Sequence, residues 1–571
     1  MGTALLPRMR GRLERLYGVT EAGALEGRLA ALLESQAEAI GSTPPAPGFS
    51  ERSALLITYG DIVRHPGEPP LATLKRLCDQ RLAGAIDTIH VLPFCPSSSD
   101  GGFAVIDYRQ VAPELGSWSE LEAIGRDYRL MADLVLNHCS SQSDWFRNYL
   151  ADVSPGRGYF IEVDPAEDLS AVVRPRPWPL LTPVETSRGR RFVWTTFSAD
   201  QVDLRWACPE VLLELVDVLL GYLAHGVRVI RLDAVAFLWK ELGTPCIHLP
   251  QTHEVVRLLR DLLAMARPDA VLLTETNVPH EENVSYFGDG DEAHMVYQFT
   301  LPPLLLHALL RGDSSRLAAW LRTHGEPPAG GCFLNFTASH DGIGLRPLEG
   351  LIDRAELEWL VREVASRGGL VSQRSMPDGS KQPYELNVTY RDALAEPHDE
   401  RLGLARFVAS QAIAAALKGV PAFYIHSLVG TENWHAGVAQ GEPRDINRRR
   451  FELAELDQRL DDADSLPARA LAAIVPMLRI RARHGAFHPT GGQQVLATDP
   501  PLLGVLRTAP GGSERVLCWF NLTARPVALP AAATRASLGD GPWRDLLAAD
   551  GAAGRGAPRS LAPYQAAWLT R

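Results

Sequence analysis

The 571 residues include only seven cysteines, none in a CxxC pair, so the chain carries neither a disulfide framework nor a structural-zinc motif. Cys78, Cys95, Cys139, Cys208, Cys246, Cys332 and Cys518 read instead as buried thiols of a reducing compartment. No apolar run is long enough to cross a bilayer. The N-terminal MGTALLPRMRGRLERLYG lacks the apolar core of a signal peptide, and Leu6 stands where a myristoylation signal needs Ser or Thr. A basic stripe is missing too. With 57 Lys+Arg against 68 Asp+Glu the net charge is −11, which leaves nucleic-acid phosphates without a binding surface. These absences predict a cytoplasmic protein with no nucleic-acid and no membrane partner.

What is present has an ordinary globular balance, 46 % hydrophobic and 22 % charged. The first forty residues read as helix, with Leu13, Leu16 and Tyr17 on one stripe and Leu25, Leu29, Leu32 and Leu33 on another. GSTPPAPG at 41–48 is a breaker cluster and reads as a linker. Eight β-rich runs follow: ALLITYG near 54, IDTIHVLPF near 86, LMADLVLNH near 130, VRVIRLDAV near 227, AVLLTET near 270, MVYQF near 295, CFLNFTASHD near 332 and VPAFYIHS near 420. Helix-length segments separate them. The clearest is PEVLLELVDVLLGYLAHG, opened by Pro209 and stopped by Gly226.

This alternation predicts an α/β fold, a (β/α)8 TIM barrel with its site at the strand C-terminal ends, although an open doubly wound sheet shares the pattern. Two connections are too long for barrel loops. Residues 139–205 read as an inserted domain, and 345–400 as an insertion over the site. From 486 the runs QQVLATD, LLGVLRT, RVLCWFNL and AAWLTR read as a C-terminal β-domain. The organisation expected is a helical extension and linker over 1–50, the barrel over 51–138 and 206–485, the insert over 139–205 and the β-domain over 486–571.

In VRVIRLDAV, Arg231 and Asp233 share a strand face. An Asp beside an Arg stays ionised, as a carboxylate nucleophile must, though a structural ion pair looks the same. Glu275 closes the fifth run, where partial desolvation would raise its pKa and suit a general acid. His340 and Asp341 close the seventh run, with Gly342 and Gly344 expected to make a tight turn, and Asn137 and His138 close the third. Each alone is an ordinary strand-end residue. Together, Asp233, Glu275 and Asp341 would meet at one barrel mouth, ringed by His138, Arg231 and His340. Three acids without a metal-ligand cluster point to glycosyl chemistry: one attacks C1, one protonates the leaving oxygen and one holds the distorted sugar.

DLVLNH, RVIRLDAVAF, LLTETN and FTASHD resemble, in order and spacing, the four short motifs of the α-amylase superfamily (glycoside hydrolase family thirteen). The resemblance implies that Asp233 is the nucleophile, Glu275 the acid/base and Asp341 the transition-state stabiliser, and that 139–205 is the family's B domain. SSSDGGFAVIDYRQV, VRPRPWPLLTP, WTTFSADQVDL, PYELNVTY and RDINRRR look like its sucrose phosphorylase subgroup. That likeness implies a donor-glucose clamp of Asp100, Phe103 and Arg448, with Gln201 nearby.

Two departures bear on the acceptor. The subgroup usually has Val-His after the acid/base, where this chain has Thr276 and Asn277, and its N-terminal extension is additional. Both features look like the bacterial glucosylglycerate phosphorylases. The implied reaction is phosphorolysis of 2-O-α-D-glucosylglycerate to α-D-glucose 1-phosphate and D-glycerate. Sucrose or glucosylglycerol phosphorolysis, hydrolysis of small α-glucosides, and a barrel that has lost catalysis are the alternatives. A phosphorylase needs cationic donors for phosphate. Arg174 and Arg176 in RPRP are the candidates, in a single anion site serving phosphate and glycerate in turn. The expected partners are a small α-glucoside and inorganic phosphate as co-substrate, with no metal and no organic cofactor. Nothing in the sequence specifies an oligomeric state.

Overall fold

The structure, a computed structural model, describes residues 2–41, 48–176, 178–375, 380–548 and 558–571. All but the ends of the 41–48 linker expected from sequence therefore lies outside the described residues.

Eight parallel strands close a barrel: β1 (Leu55–Thr58), β2 (Thr88–Val91), β3 (Arg129–Val135), β4 (Val227–Asp233), β5 (Val271–Thr274), β6 (Met295–Tyr297), β7 (Cys332–Phe336) and β8 (Val420–Tyr424). Each pairs with its sequence neighbours, and β8 returns to β1. Every one of the eight runs read from the sequence supplies one of these strands, and the open-sheet alternative is excluded by the closure. The runs are almost uniformly buried because one face fills the barrel interior and the other meets the surrounding helices. Parallel closure puts all eight C-terminal ends at one rim. Register then sets the site: Asp133 on β3 lies opposite Arg231 on β4, and Val135 opposite Asp233.

Outside the barrel, helix α1 (Gly2–Tyr17) turns at Gly18, whose φ of 84° suits glycine, into α2 (Val19–Ile40). Leu13, Leu16, Leu25 and Leu29 are buried. The hairpin packs on two barrel helices, α3 (Pro209–Ala224) and α4 (Pro250–Ala266). Arg12 is its polar anchor, bonded to Asp261 at 2.6 Å, Glu254 at 3.1 Å and Asp291 at 3.2 Å. Tyr17 adds a hydrogen bond from its hydroxyl to the Trp206 carbonyl, 3.0 Å.

Between β3 and α3, His138–Ser140 pairs antiparallel with Gln201–Asp203, and Leu181–Thr186 with Gly189–Trp194. After β7, Ile343–Gly344, Lys381–Asn387 and Leu370–Ser375 form a three-stranded sheet beside the site. The C-terminal sheet is antiparallel, in the order β9 (Gly492–Val495), β10 (Leu502–Thr508), β11 (Arg515–Asn521), β13 (Ala566–Thr570), β12 (Arg544–Asp545). It is tied to the barrel by the buried Arg507, which donates to the Ala416 carbonyl at 3.0 Å.

Candidate active site

Asp233, the last residue of β4, faces the same way as Arg231 because alternate strand residues share a face. Arg231 Nη1 donates to Asp233 Oδ1 at 2.7 Å and also to Asp133. Asp133 accepts from His90 Nε2 at 2.7 Å. Burial would raise the Asp133 carboxyl, but His90 and Arg231 hold it down at about 2. Arg231 is thus braced from behind by a fixed anion. Its Nη2 lies 3.9 Å from Glu275 Oε2, so Asp233 and Glu275 share one guanidinium. Glu275 directly follows β5 and accepts the Ala234 N–H at 3.1 Å. Ala234 has a left-handed φ of 50°, a costly conformation for a residue with a Cβ. It turns the chain sharply after Asp233.

Burial pushes both the Asp233 and Glu275 carboxyls up, against the pull of Arg231. Arg231 alone therefore does not keep Asp233 ionised, as the sequence argument had it. Its contact is 2.7 Å to Asp233 but 3.9 Å to Glu275, so it opposes that rise more directly at Asp233.

His340 and Asp341 are not at the end of β7 but four and five residues beyond it, in a loop. Likewise, Asn137 and His138 lie just past β3. Burial raises the Asp341 carboxyl, yet Arg444 and Arg448 hold it below the ordinary range. Arg444, missed in the sequence, bonds Asp341 and grips Glu385 through Nε at 3.0 Å and Nη2 at 2.6 Å. His340 stacks on Phe103 with ring centroids 4.9 Å apart, and burial lowers it to about 3, keeping it neutral. Burial lowers His138 too; its Nε2 lies 3.0 Å from the Phe103 carbonyl, which can only accept.

Asp100 (φ 53°) accepts from Gln201 Nε2 at 3.1 Å. Arg448 donates through Nε to the His340 carbonyl at 2.9 Å. A Cβ on Gly101 would stand 2.7 Å from the Tyr59 hydroxyl and 2.9 Å from Arg448 Nη1, so the Asp100 loop and Arg448 do meet. They form no ion pair, and Arg448 lies behind the cavity wall rather than on it. Arg448 Nη2 and Tyr59 Oη are buried without a hydrogen-bond partner.

The cavity enclosed by these groups measures about 100 Å³. Thr276 and Asn277 line its other side, but the Thr276 hydroxyl is engaged by Asn283 Oδ1 at 2.6 Å. Gly342 and Gly344 do not make the expected tight turn: Gly344 lies in the strand Ile343–Gly344, Gly342 directly precedes it, and neither has a left-handed φ. Their missing side chains permit close approach: a Cβ on Gly344 would be 2.3 Å from Asn277 Oδ1, and one on Gly342 2.5 Å from Glu385 Cγ. Arg174 and Arg176 reach the same wall, Arg174 donating to the Trp178 carbonyl. The remainder of RPRP, Pro177, lies outside the described residues. Arg346, Arg374, Tyr384 and Glu385 also line the cavity and were not singled out, although Glu385 sits in PYELNVTY and Arg444 in RDINRRR.

Among the described residues, no three His, Cys, Asp or Glu side chains are grouped as a metal site requires. No helix among them is long and apolar enough to cross a membrane.

Residues 83–314 match the family model described as the α-amylase catalytic domain. A glucosylglycerate phosphorylase of Allomeiothermus silvanus is 46 % identical over 557 residues, covering 96 % of this chain and 97 % of its own. Another, from Spirochaeta thermophila, is 46 % identical over 527 residues, covering 90 % and 89 %. In structure, the sucrose 6F-phosphate phosphorylase of Thermoanaerobacter thermosaccharolyticum superimposes with a TM-score of 0.72 at 24 % identity, over 84 % of this chain and 96 % of that one.

Proposed function

The chain belongs to the α-amylase family, and within it we propose that it is a retaining glucoside phosphorylase that cleaves 2-O-α-D-glucosylglycerate with phosphate. The products are α-D-glucose 1-phosphate and D-glycerate. The likeness to two glucosylglycerate phosphorylases over nearly the whole chain supports the substrate. The observation that carries the chemistry is the sharing of Arg231 by Asp233 and Glu275 at one end of a closed barrel.

Asp233 is the nucleophile. Its carboxylate attacks C1 from the face opposite the leaving group while Glu275 delivers its proton to the glycerate O2. The resulting glucosyl ester on Asp233 is then attacked by a phosphate oxygen, whose proton Glu275 takes back. Two inversions give retention. Asp341, kept ionised by Arg444, holds the sugar hydroxyls as the ring flattens and positive charge grows at C1. Asp100, Phe103, His138, His340 and Gln201 surround the glucosyl unit, and Arg448 and Tyr59 back that end from behind the cavity wall. Arg174 and Arg176 supply guanidinium donors for phosphate. The reaction needs no metal and no organic cofactor. Seven free cysteines, six of them buried, suit a cytoplasmic location.

The test is phosphate release from α-glucose 1-phosphate with a panel of acceptors. Release selective for D-glycerate is expected; release selective for fructose or glycerol would overturn the substrate, and water as the sole acceptor would make the protein a hydrolase.

A further inference from the structure

The cavity wall carries five arginines, and their engagements differ. Arg444 is taken up by Asp341 and Glu385. Arg174 and Arg176 form no ion pair among the described residues. Arg346 and Arg374 form a third kind. Arg346 opens the short turn Arg346–Leu348 just after Ile343–Gly344, and Arg374 lies on Leu370–Ser375. These two segments flank Lys381–Asn387, so one sheet brings both arginines to the mouth. Both, like Arg174, also line a second cavity of about 680 Å³, walled by Leu169, Val172, Leu180 and Leu181. They therefore stand at the neck between the glucosyl pocket and its neighbour.

Each of the two is half-neutralised through one nitrogen: Arg346 Nη2 lies 3.5 Å from Glu282, and Arg374 Nη2 lies 2.8 Å from Glu349. In each the Nε is buried with no hydrogen-bond partner. A buried N–H left without an acceptor is costly.

Resting on the phosphorolysis reading above, we infer that Arg346 and Arg374 form a carboxylate-recognition site for the leaving group, distinct from the phosphate donors Arg174 and Arg176. Two partly compensated arginines on one wall match the single charge of a carboxylate. Two arginines without carboxylate partners match the higher charge of phosphate. Placement agrees. In a 2-O-glucosylglycerate the carboxyl carbon is bonded to the carbon that bears the glycosidic oxygen, so the carboxylate must lie close to the acid Glu275. Asn277, two residues beyond Glu275, packs against Gly344, and Arg346 follows Gly344 by two. The single shared anion site expected from the sequence becomes two.

The test uses the full-length protein with Arg346→Gln and Arg374→Gln, supplied with α-glucose 1-phosphate and either D-glycerate or glycerol, which has the same hydroxyls' chemistry without the carboxylate. The ratio of kcat/KM for D-glycerate to that for glycerol is independent of the folded fraction. It should fall at least tenfold in each variant, mainly through KM for D-glycerate, while KM for phosphate in the reverse direction stays within twofold. Arg174→Gln should do the opposite, raising KM for phosphate. An unchanged ratio, or a matching rise in KM for phosphate, would overturn the assignment. If the unaltered protein makes no use of D-glycerate, the phosphorolysis reading itself fails, an outcome visible before any variant is made.

Discussion

Glu275 has no direct hydrogen bond from a cation; its neighbours are the Ala234 N–H at 3.1 Å and Arg231 at 3.9 Å. Burial, named first among the influences on it, raises its pKa above the ordinary 4.5. A general acid works only while protonated, so glucosyl transfer should decline as pH rises through this raised value. On the acid side it should decline as the coupled Asp233–Glu275 pair takes up its second proton. Glu275→Gln removes the group that titrates the alkaline limb. Turnover of glucosylglycerate should drop about 10²–10⁴-fold, and the alkaline limb of kcat/KM should flatten. A pH–rate profile of the variant that kept the limb of the unaltered enzyme would assign the acid to another residue. The same scale shows what glycine does here. Gly344 gives Asn277 its place through a missing Cβ rather than through a special φ.

At the scale of elements, the hairpin of α1 and α2 is fastened by one buried cation. Arg12 reaches Asp261 and Glu254 on α4 together with Asp291, and Asp261 itself is almost wholly buried. Removing one partner of a buried ion cluster leaves the others uncompensated, which costs about 3–5 kcal/mol. Arg12→Ala should therefore lower the urea unfolding midpoint by that equivalent, and an unchanged midpoint would show that α1 is only loosely laid on the barrel. The strands and this hairpin were legible in the sequence because each obeys a local rule: short buried runs between helices, and apolar residues at helical spacing. So were Asp233 and Glu275, which sit on or directly beside strand ends. Arg346, Arg374 and Arg444 were not legible. They come from loops and an added sheet, where no periodicity says which side chain turns inward, and an arginine in such a stretch is usually solvated. Arg448 is legible only through the family resemblance, and Arg444, four residues earlier and closer to Asp341, has no signal of its own.

For the whole molecule, the question is how a chain of net charge −11 admits two anions. The long-range field repels phosphate and glycerate, whereas Arg174, Arg176, Arg346 and Arg374 attract them at the mouth. At 0.15 M salt the Debye length is about 8 Å, so the distant acids are screened while the arginines at contact are screened far less. Without added salt, both fields act together. If the mouth governs capture, added salt weakens its attraction, and kcat/KM for D-glycerate and for phosphate should fall severalfold between 20 and 300 mM, roughly the range over which that length shrinks from about 20 Å to 6 Å. Glycerol, uncharged, should respond little, which separates capture from any effect of salt on the fold. If the net charge governs instead, the slope for the anions reverses and capture improves with salt. Steady-state rates with the three acceptors across that series decide between the two, and a rising slope for D-glycerate would mean that the four arginines act only after the substrate has arrived.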